Sequence, residues 1–178
     1  WGGWIKTFTV NGGTITQTAQ LRHNANQTYH NSLVQADANT YVLAYADEIS
    51  DGWLKTFTIP ANGSSITAVA SFEYKTGTIS YNSLVQLDGD TYVLAYRDGN
   101  GYINTFTVPA DGSTITQEAS LAHDDVGGDY NSLIAIDANA VLLTYSGQSS
   151  DGYLKTFNIP ADGSSITEKT ILEHDTNQ

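Results

Sequence analysis

Aromatic side chains standing next to carboxamides recur along this chain, and they are its clearest candidates for chemistry. His30-Asn31, Tyr81-Asn82 and Tyr130-Asn131 form one set; Trp4, Trp53, Tyr102 and Tyr153, each following a glycine, form another. Ring faces stack on the C–H surfaces of sugars while amides and carboxylates take up hydroxyl hydrogen bonds, so both sets suit a saccharide site. The same residues can also serve structure alone. Asparagines then satisfy backbone groups between repeated units, and the rings staple one unit to the next.

Other chemistries fit less well. His23, His123 and His174 share one repeat position, held by Tyr74 in the remaining copy. Equivalent positions in successive units do not converge, so a flat ring packed near a strand end explains them better than a metal does. The acidic stretches 47–51, 98–100 and 124–129 could offer oxygen ligands to Ca²⁺, but none follows the EF-hand spacing and turn formation accounts for them. No cofactor is therefore expected. Glycoside hydrolysis needs two carboxyl groups roughly 5 to 10 Å apart. The best glutamate pair, Glu118 and Glu168, falls on outer strands of neighbouring units, which diverge, so no catalysis is expected from it.

The elements that position these residues are repeated. GWIKTF at 3–8 returns as GWLKTF at 52–57, GYINTF at 101–106 and GYLKTF at 152–157. HNSLVQAD at 30–37 returns as YNSLVQLD at 81–88 and YNSLIAID at 130–137, and YVLAY at 41–45 recurs at 92–96 and as VLLTY at 141–145. Duplication at a fixed period of this size marks a supersecondary unit. One unit reads as four strands, 82–88, 91–96, 102–108 and 115–123, joined by turns in which Asn-Gly and Asp-Gly pairs supply positive φ.

Strand patterning then selects the architecture. NSLVQLD and TYVLAY are nearly continuous in apolar residues, as strands covered on both faces are. The fourth strand alternates, with Ile115, Gln117, Ala119, Leu121 and His123 on one face and Thr116, Glu118 and Ser120 on the other. Two buried inner strands and a half-buried outer one describe an all-β fold of four-stranded antiparallel β-propeller blades; a β-sandwich or an open stacked β array is the fallback. The single array comprises a half-blade at 1–23 and blades at 30–74, 81–123 and 130–174. The half-blade lacks two inner strands; a longer parent, to which the absence of Met points, is expected to supply them, with another copy as the alternative.

YNSLVQLDGDTYVLAY and HNSLVQADANTYVLAY resemble the inner hairpin of sialidase-like propeller repeats, where a Ser-Leu strand turns into a Leu/Tyr-rich one. That resemblance implies the fold. It implies no activity, because the family's Asp-box, S-x-D-x-G-x-T-W, is not met: 149–153, SSDGY, is the nearest approach and lies in a different hairpin. The three arginines of a sialidase mechanism are not met either, since Arg22 and Arg97 are alone and occupy non-equivalent positions.

Composition narrows the partners. A net charge of −12, with seven Lys and Arg, repels phosphate backbones and anionic lipid heads, so no nucleic acid is expected. No apolar run approaches the roughly 18 residues of a membrane helix, so no membrane insertion is expected. The absence of Cys removes thiolate chemistry. An acidic, Ser/Thr/Asn-rich chain suits a secreted or cell-surface protein. The leading expectation is thus a non-catalytic extracellular binding or adhesion module for polysaccharide or glycoprotein. The alternatives are a structural unit of a surface layer, filament or matrix that self-associates through blade edges, and part of a propeller hydrolase whose active residues lie elsewhere.

Overall fold

A computed structural model describes residues 1–175. The chain forms a two-stranded hairpin followed by three four-stranded sheets, all antiparallel and each in sequence order. The hairpin pairs β1 (Gly3–Asn11) with β2 (Thr14–Asn24). The first sheet holds β3 (Tyr29–Gln35), β4 (Thr40–Ala46), β5 (Gly52–Thr58) and β6 (Thr67–Lys75). The second holds β7 (Ser80–Asp88), β8 (Thr91–Asp98), β9 (Asn100–Thr107) and β10 (Thr116–Asp124). The third holds β11 (Asp129–Asp137), β12 (Ala140–Ser146), β13 (Gly152–Asn158) and β14 (Thr167–Asp175). The one helical turn among the described residues is a 3₁₀ turn at Gln148–Ser150.

The first strand of each sheet packs beside the first strand of the next, β3 on β7 and β7 on β11, so the sheets radiate from a common inner edge. Three apolar seams lie between successive layers. Ile5 and Leu21 meet Leu43, Tyr45 and Phe57 across the first; Leu54 and Phe72 meet Leu94 and Phe106 across the second; Ile103 and Leu121 meet Leu143 and Phe157 across the third. Every seam therefore has a forward face, from the earlier sheet, and a backward face, from the later one.

Burial departs from the sequence expectation at the inner strands. The second strands β4 and β8 are buried nearly throughout, but β3 and β11 are largely exposed, Leu33, Ile134 and Ile136 among them. The physical reason is neighbour count: β7 lies between two other inner strands, whereas β3 and β11 each have one. Apolar content reports what a strand can bury and not what is present to bury it.

The outer strand departs too. Ala119, Leu121 and His123 turn inward as expected, but Gln117 is exposed, because a β-bulge at Glu118 breaks the alternation. Bulges occur at the matching place in each outer strand, and they kink an edge that would otherwise invite pairing. In the hairpin and the first two four-stranded sheets the bulge leaves a backbone N–H off the ladder, and a threonine takes it up. Thr7, Thr56 and Thr105 Oγ1 accept from the N–H of Ala19, Ala70 and Ala119 at 2.9–3.0 Å.

The same hydroxyls reach across the seams. Thr7, Thr56 and Thr105 donate to the carbonyls of Gly63, Gly112 and Gly163 in the following sheet, each at 2.7 Å. Those glycines close Pro-Ala-x-Gly turns in which the glycine N–H donates to the proline carbonyl, and their positive φ suits a residue without Cβ. Thr40 and Thr91 add a second staple, donating to the carbonyls of Ala110 and Ala161 in the same turns.

Candidate functional site

The ends of the strands gather the aromatics at one end of the array. Antiparallel order places the start of the first strand, the end of the second, the start of the third and the end of the fourth side by side. Within the first sheet Tyr29 pairs with Ala46, Tyr45 with Trp53, and Trp53 with Glu73.

At the inner edge, His30, Tyr81 and Tyr130 form one row. The ring centroids lie 5.2 Å apart for His30 and Tyr81, and 4.7 Å apart for Tyr81 and Tyr130. The Tyr81 hydroxyl hydrogen-bonds to that of Tyr130, which raises its pKa above the ordinary phenol value. Tyr130 is 71% exposed. All three residues have φ between 52 and 55°, the left-handed region that side chains other than glycine seldom occupy. Backbone strain repeated at equivalent positions is held there by its surroundings.

The adjoining asparagines supply part of that hold. The Asn131 side-chain amide donates to the carbonyls of Tyr81, at 3.2 Å, and Gly128, at 2.8 Å, tying one sheet to the next beneath the row. Asn82 accepts from the Tyr74 hydroxyl at 2.8 Å. Asn82 Nδ2 and Asn131 Oδ1 are buried without a hydrogen-bond partner. Asn31 is exposed beside His30. Next to Tyr81 and Tyr130, the Arg97 guanidinium pairs with Asp129 at 2.7 Å.

The second aromatic set does not join this row. Trp53, Tyr102 and Tyr153 sit two strands outward, about 10 Å away at normal strand spacing, and belong to the seams. Tyr102 stacks on Tyr96 and Tyr153 on Tyr145, at 5.5 and 5.4 Å with interplanar angles of 19°. The Trp53 indole N–H donates to Asp47. Trp4, on the hairpin, is half exposed.

The glycine before each of these aromatics has a steric cause. A Cβ on Gly101 would lie 2.5 Å from the His123 ring, and one on Gly52 would lie 2.4 Å from the Tyr74 ring. His23, Tyr74 and His123 cap the outer strands by lying over these glycines and against Tyr45, Tyr96 and Tyr145 of the next sheet. Burial, with a nearby lysine, lowers the pKa of His23 and His123 to about 4.

That lysine was not singled out in the sequence. Lys55 donates to the His23 carbonyl and Lys155 to the His123 carbonyl, across the first and third seams. At the second seam, where Tyr74 replaces histidine, Asn104 replaces lysine and donates to the Tyr96 hydroxyl. The readable signal was the Lys/Asn exchange within GWLKTF and GYINTF, which follows the His/Tyr exchange at the outer strand.

The glutamate pair is not brought together. Glu168 lines a cleft of about 400 Å³ with His123, Tyr145, Tyr153 and Lys155, whereas Glu118 lines one of about 500 Å³ at the opposite end with Asp88 and Asp162. Within the acidic loops, Asp47 accepts the N–H of Ile49 and Asp51, and Asp124 those of Val126 and Gly127. Arg22 is bound to backbone carbonyls of Trp1 and Ala25.

No family model and no curated protein matches the chain. Solved structures do. The chain is similar to the NanB sialidase of Streptococcus pneumoniae in a K499G mutant, with TM-score 0.63, 18% identity, and coverage of 97% of this chain and 29% of that one. It is similar to a putative 6-phosphogluconolactonase of Bacteroides fragilis, with TM-score 0.69, 15% identity, and coverage of 97% and 49%. It is also similar to Saccharomyces cerevisiae Sqt1, with TM-score 0.63, 11% identity, and coverage of 96% and 42%. The chain spans between about a third and half the length of these proteins. The fold is all-β, built of propeller blades.

Proposed function

We propose that this array is a non-catalytic extracellular binding module, and that the row His30, Tyr81 and Tyr130 receives a saccharide of a polysaccharide or glycoprotein. One observation carries the reading: three rings, one per sheet, His30 and Tyr130 exposed and Tyr81 half-buried between them, are held in contact at the inner edge on strained backbone. Rings tilted 51 and 52° to one another, with centroids 5.2 and 4.7 Å apart, offer a saccharide an extended aromatic edge and not the enclosed cavity of a small-molecule site. Arg97, Asp129 and the exposed amide of Asn31 stand beside it to meet hydroxyl groups.

The test is retention on a panel of immobilised polysaccharides and glycoproteins, comparing wild type with Tyr130→Ala and Trp53→Ala. Tyr130 is exposed, so its truncation should cost at least tenfold in affinity for any retained glycan while leaving the melting temperature unchanged. Trp53→Ala should lower the melting temperature first. Full retention by a folded Tyr130→Ala variant would remove the row from the binding site.

A further inference from the structure

Two faces of the array lie open, one on the hairpin and one on the third four-stranded sheet. On the hairpin, Phe8, Val10 and Ile15 are 55%, 72% and 69% exposed. Their counterparts Phe57, Phe106 and Phe157, with Ile59, Val108 and Ile159, are all buried on the backward faces of the seams. On the third sheet, Leu172 is 54% exposed and His174 is exposed. Their counterparts Phe72 and Leu121, with Tyr74 and His123, are packed on forward faces.

These open faces match in two respects beyond being apolar. Across the internal seams histidine goes with lysine, as in His23 with Lys55 and His123 with Lys155, and tyrosine with asparagine, as in Tyr74 with Asn104. The unmatched residues are His174 on the third sheet and Lys6 on the hairpin, again histidine with lysine. The second match is a paired omission. Thr40 and Thr91 donate to the alanine carbonyl of the following Pro-Ala-x-Gly turn, but the third sheet has Ala140 at that place. The hairpin, correspondingly, has no such turn, and β1 passes to β2 through Gly12-Gly13. The donor of this second staple and the turn it would reach are both missing, each from the face that would meet the other, while Thr156 keeps the place of the first.

We infer that the open face of the third sheet docks on the open face of the hairpin in a second copy of this chain, head to tail, repeating the internal seams. The contact is heterologous: each copy offers a different face to each neighbour. Burying Phe8, Val10 and Ile15 against Leu172 removes from water the apolar surface that the other seams already hide.

Light scattering after size-exclusion chromatography tests this with wild type, Phe8→Asp, Leu172→Asp and an equimolar mixture of the two variants. Both residues are exposed in the single chain, so either aspartate should leave circular dichroism and melting of the monomer intact. Wild type should gain mass with concentration, and each variant alone should remain a monomer. The mixture should recover association and stop at a dimer, because each variant keeps one good face. A wild type that stays monomeric at the highest attainable concentration would overturn the inference and point to a different occupant of these faces. So would association that persists in either variant, or a mixture of folded variants that does not pair.

Discussion

The imidazole of His123 meets the ring of Tyr145 edge-on, with centroids 4.7 Å apart and planes at 68°, across the seam between the second and third four-stranded sheets. The positive edge of one ring faces the negative face of the other, a favourable arrangement for a neutral imidazole. His23 repeats it on Tyr45 at 5.0 Å. Two of the three seams are thus closed at their outer end by a histidine that must stay uncharged, and a lysine beside each reinforces the demand.

Stability should depend on pH through these two residues. Their pKa falls from 6.5 to about 4 on folding, chiefly by burial. Between those values the unfolded chain binds more protons than the folded one, so stability rises with pH across this window. The contribution is complete above about pH 7 and is lost as pH falls from 6.5 to 4, by up to roughly 3 kcal/mol for His123 and by less for His23, which solvent screens more. Urea unfolding at pH 4.5, 5.5 and 7.5 checks this, with a His23→Phe/His123→Phe double variant expected to flatten the slope. Carboxylates such as Asp37, lowered by backbone N–H donors from Asn39 and Thr40, act at more acid pH.

Gly101→Ala should destabilise more than Gly99→Ala, although Gly99 has the positive φ. A Cβ at 101 would lie 2.5 Å from a His123 ring that is itself buried, whereas one at 99 meets nothing within 4 Å. Overpacking of this kind costs roughly 1–3 kcal/mol, against roughly 1–2 kcal/mol for a left-handed alanine, and the buried His123 ring leaves little room to relax. The cycle with His123→Ala discriminates the cause: the cost of Gly101→Ala should largely vanish in that background.

Thr105→Val should cost more than a threonine methyl exchange would suggest. The hydroxyl is buried, donates to the Gly163 carbonyl at 2.7 Å, and accepts from the bulge N–H of Ala119 at 3.0 Å. Valine keeps the shape and leaves both backbone groups unpaired, at about 1–3 kcal/mol each. Thermal melting of Thr105→Val beside Thr107→Val, which loses only a partly buried hydroxyl, measures the difference.

The repeat itself, the strand succession and the glycine-closed turns were legible because they depend on local chemistry. Positive φ asks for Gly or Asn, and a strand between two neighbours asks for Val, Leu and Tyr, wherever in the chain they stand. The aromatic-carboxamide sets were legible as sets, but not their division of labour. His30, Tyr81 and Tyr130 look no more exposed in the sequence than Trp53 or Tyr102. One set lines an inner edge and the other fills a seam because of sheet-to-sheet contacts between residues about fifty positions apart.

What the sequence determined by itself is the unit: four strands of fixed order, whose alternation and turn residues leave little choice of local structure. What only the tertiary structure decided is which face of each unit meets which. The threonine of the KTF segments is an ordinary strand residue until a bulge N–H and a carbonyl from the next sheet converge on it, and the lysine is a surface charge until its ammonium donates a hydrogen bond to the histidine carbonyl of the preceding sheet. Such roles follow from distance in space, and a linear pattern encodes distance only within a strand or a turn.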